Sequence, residues 1–264
     1  MNDTSERSDA LVGAAATTLD IVIPVYNEGE NILSVIGALK RDVRTPFRIL
    51  ICYDFEEDNT LPAIRQRPED GVAVIAVRNP ERGPHAAVRA GLKASSAPAV
   101  LVYMADDDYN TAIIDTMVGR MREGYELVAA CRFMPGGTFE GCAWHKRTIT
   151  RLGTFMLSEV AGLPVHDGTN AFRLFSRRLL EAVDIESRIG FTFSVELLAK
   201  AVRLGFPVAE VPADWQERAD KPSRFRVFRW MPAYIHWLLY AMATRWLGRG
   251  PSTVTRRLSN HSSR

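Results

Sequence analysis

Three consecutive carboxylates, Asp106, Asp107 and Asp108, follow an apolar run in "LVYMADDDYN", residues 101–110. Adjacent like charges repel, and nothing basic sits beside them in sequence. A hard divalent cation, Mg²⁺ or Mn²⁺, would supply the missing charge, since such ions take oxygen ligands and are held by one or two carboxylates together with substrate phosphates. In an extended segment alternate residues share a side. Asp106 and Asp108 then face one pocket with the Asn110 amide next in line, and Asp107 points away, toward a supporting donor or a nucleoside. A solvated Asp-rich turn is the alternative.

Other residues could act on phosphates or protons. Arg132, Lys146, Arg147, Arg151, Arg218 and Arg224 are cations suited to phosphate, arginine by its planar fork. Lys146, Arg147 and Arg151 fit equally the wet face of a helix, because 147 and 151 are one turn apart. Arg173, in "AFRLF", leaves its strand opposite Phe172 and Leu174 and is a candidate cation for a diphosphate; a surface ion pair is the alternative. A hydroxyl nucleophile wants a carboxylate base within hydrogen-bond reach, and Asp167 and Glu196 are the candidates. A phosphate monoester, with a second pKa of about 6, is already ionised and needs cations instead. His85, His145 and His166 show no metal-ligand spacing with another His or Cys and read as packing or capping residues.

Short β-branched runs position these residues. Strands are predicted over 19–25, 47–54, 72–79, 99–106 and 125–132, alternating with helical patterns over 27–42, where Asn27 is a candidate cap, and 85–95. This alternation predicts an α/β fold: a mostly parallel sheet with helices on both faces. Ligands in such sheets bind beyond the carboxyl ends of the strands, where "YDFEEDNT" (53–60), "ADDDYN" and "HDGTN" (166–170) fall. No GxGxxG follows the first strand, so a dinucleotide pyrophosphate has no glycine-turn helix N-terminus to sit on and a different device must hold any phosphate.

The chain has 264 residues and a net charge of +2, too balanced for a nucleic-acid partner. From Arg218 to Arg264 there are ten Lys/Arg against one acid, Asp220. Three cysteines, Cys52, Cys131 and Cys142, lack metal spacing and point to reduced thiols in a cytoplasmic setting. Residues 1–18 read as a disordered tail and not as a signal peptide.

These motifs together resemble the family 2 glycosyltransferases of GT-A fold, and within them the dolichyl-phosphate mannose synthases and bacterial polyprenyl-phosphate glycosyltransferases. The resemblance runs from about Leu19 to Arg224. Through "IPVYNEGENI" it implies that Pro24, Tyr26, Asn27 and Glu28 contact the nucleotide, and through "YDFEEDNT" that Asp54 meets base or ribose. It gives "MADDDYN" as the Asp-x-Asp motif, with Asp106, Asp108 and Asn110 on the metal and Asp107 near the donor. "ACRFMPGG" and "WHKRTITRLGTFM" match its acceptor-side loop and helix. "VHDGTNAFRLF" matches through Asp167, Thr169, Phe172 and Arg173. "GFTFSVELLAKAVRLGFPVAEVP" and "RADKPSR", with Arg218, Ser223 and Arg224, match its closing helix, strand and basic loop. Tyr53 stands where an acid is usual and Thr154 where an Asn is common, which leaves sugar and nucleotide open.

The implied activity is metal-dependent, inverting transfer of a sugar from a UDP- or GDP-sugar to a polyprenyl phosphate. On that reading Asp167 orients the acceptor-side arginines or the sugar. Two alternatives stand beside it: transfer to a hydroxyl of a glycan or small molecule, and a non-catalytic nucleotide-sugar-binding subunit. A glycosyltransferase domain is expected over 19–226.

The most apolar stretch, "VFRWMPAYIHWLLYAMATRWLG" (227–248), is broken by Pro232, His236 and Arg245, too polar to span a bilayer. Trp230, Trp237 and Trp246 with flanking arginines suit a helix lying at the lipid interface, at the inner face of the cell membrane. Packing on the domain, or in a homodimer, is the alternative. A basic disordered tail is expected over 249–264.

Overall fold

The computed structural model describes residues 18–67, 71–141, 144–216 and 227–255. Seven strands form one sheet: β1 (Leu19–Pro24), β2 (Phe47–Tyr53), β3 (Ala73–Arg78), β4 (Ala99–Val102), β5 (Leu127–Cys131), β6 (Arg173–Ser176) and β7 (Val208–Pro212). Their order is β3-β2-β1-β4-β6-β5-β7. β6 runs antiparallel to β4 and β5, and the other pairs are parallel. The expected mostly parallel sheet is present. Arg173 pairs with Val102 and with Ala129. That register brings the turn before β6 to the edge where β4 and β5 end.

The central strands are apolar on both faces because both are covered. Ile21, Ile23, Ile49 and Leu101 pack with Ile32, Ile36 and Leu39 of α1 (Asn31–Asp42) and Met117 of α4 (Ile114–Arg122). Val22, Leu50, Val100 and Val102 pack on the other side with Val88 and Leu92 of α3 (Pro84–Ala94) and with α7 (Phe193–Arg203). A Cβ on Gly91 would lie 2.3 Å from Val22 Cγ1 and 2.6 Å from Cys52 Sγ, so only glycine lets α3 sit this close to the sheet. Burial pushes the Cys52 and Cys131 thiols up to about 12, which leaves them inert.

Several boundaries differ from expectation. β4 ends at Val102, although the Tyr103 N–H still donates to the Val22 carbonyl at 2.9 Å; the chain then turns at 105–106. The acidic triplet therefore stands in a turn, not on a strand. Asn27 does not cap α1: its φ is +54°, and the helix begins four residues later. A short helix α2 (Thr60–Gln66) follows the second acidic cluster.

The C-terminal helix α8 (Val227–Trp246) packs on α7. Trp237, expected at the lipid interface, is 4% exposed and belongs to the core. Residues 251–253 make a 3₁₀ turn, Val254 is buried and the Thr255 carbonyl accepts from the Asp184 N–H at 3.0 Å, so residues 249–255 are ordered, contrary to expectation, and the rest of the expected tail lies outside the described residues. Among the described residues, no helix is long and apolar enough to cross a membrane.

Candidate active site

The turn after β4 sorts its carboxylates. Asp106 is exposed and Asp108 half-buried, while Asp107 is buried. Asp107 accepts from the Asn110 N–H (3.0 Å) and side-chain amide (2.8 Å). Burial pushes its carboxyl up to about 6, against the pull of those donors. Asp107 is thus a brace within the loop and not a group offered to the donor. Asn110 is buried too. Its amide donates to the Asp214 carbonyl (2.8 Å) and its oxygen accepts from the Asp214 N–H (2.9 Å). With both ends of its amide engaged, Asn110 braces the loop against Asp214 in this structure.

Asp106 and Asp108 remain. Among the described residues no group of three or more His, Cys, Asp or Glu could hold a metal. Two hard carboxylates beyond a strand end suit an ion that completes its shell with substrate phosphates. The donor set therefore fits Mg²⁺ or Mn²⁺.

The loop after β1 is stitched to the segment after β2. The N–H groups of Asn27, Glu28 and Gly29 donate to Asp58 Oδ2, Thr60 Oγ1 and Asn59 Oδ1 at 3.0, 3.0 and 2.8 Å. Tyr26 stands edge-on to Phe55, ring centroids 5.5 Å apart, and Pro24 is half-buried below. Asp54 accepts from the Asn79 amide and the Gly83 N–H, both at 2.8 Å, tying this loop to the start of α3. Tyr53, at the position where an acid was expected, donates its hydroxyl to Glu56 (3.1 Å). Pro24, Tyr26, Asn27, Glu28 and Asp54 thus line the ends of β1 and β2 together.

After β5, Arg132 is gripped by Asp167 through Nε (2.6 Å) and Nη2 (2.9 Å), and Nη2 also donates to Thr169 Oγ1 (2.9 Å). Its guanidinium lies over the Phe139 and Phe133 rings at 4.8 and 5.3 Å. Asp167 is fully buried. Burial alone would raise its pKa, but Arg132 and the backbone donors hold it below the usual carboxylate range. A buried carboxylate so occupied is not a general base; it orients Arg132.

Arg173 also departs from expectation. It is fully buried and donates to the carbonyls of Asn170 (2.8 Å), Ser194 (2.7 Å) and Gly168 (2.8 Å), which takes it away from any diphosphate. Burial pulls its guanidinium down to about 10. Arg173 fixes the 167–170 turn from below. Glu210 of β7, which sequence reasoning missed, fixes it from the other side, accepting from the N–H groups of His166 (2.7 Å) and Asp167 (2.9 Å). The signal was a lone Glu in the apolar strand "VAEVP".

Glu196 is the second candidate base that fails. It lies inside α7 at 0% exposure and accepts from the Glu186 N–H (2.7 Å), the Ser187 N–H (2.8 Å) and Lys200 Nζ (2.7 Å). Lys200, equally buried, also meets Glu186 at 2.6 Å. The signal was a Glu and a Lys four residues apart on a mostly apolar helix.

Helix α5 (Trp144–Phe155) carries Arg147 and Arg151, both exposed, with Arg151 over the Phe133 ring at 5.9 Å. Lys146 lies on the same helix, its side chain outside the described residues, as are Arg218, Ser223 and Arg224. Three apolar side chains share α5: Trp144, Leu152 and Phe155, exposed by 79%, 59% and 53%.

The glycosyl transferase family 2 model matches residues 20–184, which carry the Asp-x-Asp turn, Arg132 and Asp167. The chain belongs to glycosyl transferase family 2. Polyprenol monophosphomannose synthase of Mycolicibacterium smegmatis is 26% identical to this glycosyltransferase over 75% of the chain and 77% of that protein. Dolichyl-phosphate hexose transferase of Haloferax volcanii is 28% identical over 77% and 85%. Dolichol-phosphate mannosyltransferase of Pyrococcus furiosus is 24% identical over 79% of the chain and 59% of that protein. Among solved structures, glucosyl-3-phosphoglycerate synthase of Mycobacterium tuberculosis with UDP has a TM-score of 0.62 at 21% identity, covering 87% of this chain and 81% of that one. Its complex with Mn²⁺, UDP and phosphoglyceric acid scores 0.60 at 22% identity, covering 88% and 79%. These likenesses show the fold.

Proposed function

We propose that this family 2 glycosyltransferase moves a hexose from a UDP- or GDP-sugar onto a polyprenyl phosphate, with inversion at the anomeric carbon. The observation that carries the reading is the loss of both candidate bases. Asp167 and Glu196 are buried and fully engaged, so neither takes a proton from a hydroxyl. An acceptor that arrives ionised needs none. The names of the relatives, two dolichol-type and one polyprenol-type, support the same acceptor class.

Asp106 and Asp108 would hold Mg²⁺ or Mn²⁺, and the ion would stabilise charge developing on the leaving diphosphate. The loops after β1 and β2 hold the nucleoside. Arg132, fixed by Asp167, and Arg147 and Arg151 of α5 receive the acceptor phosphate. One phosphate oxygen forms the new bond to the anomeric carbon as the bond to the diphosphate breaks, and the electron pair leaves with the nucleoside diphosphate.

The lipid tail requires a membrane-facing surface. Trp144, Leu152 and Phe155, interleaved with Arg147 and Arg151, supply aromatic, aliphatic and basic groups suited to an anionic lipid interface. Leu239, Trp246 and Leu247 extend exposed apolar surface on and just beyond α8, and Trp246 Nε1 donates to the Val160 carbonyl at the end of the turn that follows α5. The enzyme is therefore read as peripheral at the membrane. Supplying a polyprenyl phosphate and the matching unphosphorylated polyprenol tests the acceptor. Transfer to the phosphate alone is expected, and equal transfer to the alcohol overturns this reading.

A further inference from the structure

Residues 213–216 continue β7 past Pro212 and touch both halves of the site. The Ala213 N–H donates to the Cys131 carbonyl (2.9 Å), and its own carbonyl accepts from the Thr138 N–H (3.2 Å). The Trp215 N–H donates to the Thr138 carbonyl (3.0 Å), and the Trp215 carbonyl accepts from the Glu140 N–H (2.9 Å). This ladder fastens the acceptor loop, 133–140, to the strand. A Cβ on Gly137 would fall 2.5 Å from the Cys131 carbonyl and 3.0 Å from that of Ala213, so the loop lies as close as a backbone allows. The Phe139 ring, which covers Arg132, packs 4.8 Å from the Trp215 ring.

The same four residues hold the metal loop. Asn110 makes its two bonds to the Asp214 backbone, and the Gln216 N–H donates to the Tyr109 hydroxyl at 3.3 Å. Asp214 then reaches the acceptor loop with its side chain, Oδ1 accepting from the Thr138 hydroxyl at 2.7 Å. Asp214 thus bonds one half of the site with its backbone and the other with its carboxylate. Asp107 pins the Asn110 amide at the metal end, so a continuous chain of hydrogen bonds joins the 106–110 turn through Asp214 to Thr138.

We propose that Asn110 and Asp214 are positioning residues that couple the two halves: a metal–nucleotide on the Asp106–Asp108 turn stiffens the acceptor loop and sets Arg132 before the acceptor arrives. This rests on the function proposed above, which makes one loop the donor side and the other the acceptor side. Coupling of this kind is reciprocal, so an occupied acceptor loop tightens metal–nucleotide binding by the same factor.

Hydrogen exchange of the full chain, alone and with Mn²⁺ plus UDP or GDP, tests it. In the wild type, the bound nucleotide slows exchange in the 106–110 turn, and also in 133–140 by about fivefold, the low end of ordinary coupling between sites. Thr138→Val leaves the metal loop untouched. It should keep Mn²⁺-dependent nucleotide binding, measured calorimetrically, while losing more than half of the protection in 133–140. Asn110→Ala should lose nearly all of it. Should Asn110→Ala fail to fold, Thr138→Val decides. Nucleotide binding without protection of 133–140 in the wild type, or full protection in Thr138→Val, overturns the coupling and leaves the function standing. No Mn²⁺-dependent binding of either nucleotide overturns both.

Discussion

Asp167 holds Arg132 by two parallel hydrogen bonds, at 2.6 and 2.9 Å, from a position with no solvent exposure. The pair is nearly buried, so its partners depend on one another more than a surface pair would. Asp167→Ala leaves Arg132 without its hydrogen-bonded carboxylate and removes a compensating charge near Arg173. A loss of about 3–5 kcal/mol in unfolding free energy is expected, read from urea melts at pH 7. An unchanged midpoint would show that the pair does not hold the turn.

Glu196 lies too deep to meet a substrate, and Glu196→Gln separates stability from chemistry. Lys200 loses its fully buried partner, though Glu186 remains. A cost of about 3 kcal/mol is expected, the low end for breaking a buried pair. The turnover of the folded fraction should match the wild type. A drop of about 10² or more, the size expected for losing a general base, would reinstate Glu196 in catalysis.

His85 gives the fold a pH dependence of its own. It is buried against Ser187, 2.7 Å away, and burial, helped by the charge of Arg89, lowers its pKa to about 4. The unfolded chain takes up a proton near the ordinary value of about 6.5 while the folded chain resists it. This contribution is intact above that value and is lost as the pH falls from about 6.5 toward 4, by about 3 kcal/mol in all. Comparing denaturant melts of wild type and His85→Asn across that range should show a flatter curve in the variant. Parallel curves would refute the assignment.

Legibility in the sequence stopped where side chains choose between two faces. Strands and motif order were readable because apolar alternation and turn chemistry are local. Asp106 is exposed and Asp107 buried, but a turn and not strand alternation separates them, and Asp107 faces Asn110 instead of a nucleoside. Asn110 and Arg173 have partners that the sequence did not reveal, for one reason. Spacing places a polar group at the site, but its partners, Asp214 and the carbonyls of residues 168, 170 and 194, come from distant segments. Trp237 was misread because an aromatic on an amphipathic helix suits a lipid interface and a protein core alike, and α7 supplied the core.

The surface assigned to the membrane makes a separate prediction. Replacing Leu152 and Phe155 with serine removes two apolar groups that are each more than half exposed. Even half burial of each in lipid is worth about 2 kcal/mol together. Co-sedimentation with anionic vesicles should fall at least about tenfold, with the melting temperature unchanged. Equal binding would move the contact elsewhere.

The central claim is metal-dependent transfer to an ionised lipid acceptor through Asp106 and Asp108. The measurement is movement of radiolabel from UDP- or GDP-hexose, with Mg²⁺ or Mn²⁺, into organic-extractable polyprenyl phosphate, for wild type and Asp108→Ala. Label should enter the organic phase with the wild type and one donor, stop on chelation, and be absent with Asp108→Ala although that protein melts normally. Transfer that survives in Asp108→Ala, or that proceeds only onto water-soluble hydroxyl acceptors, would contradict it.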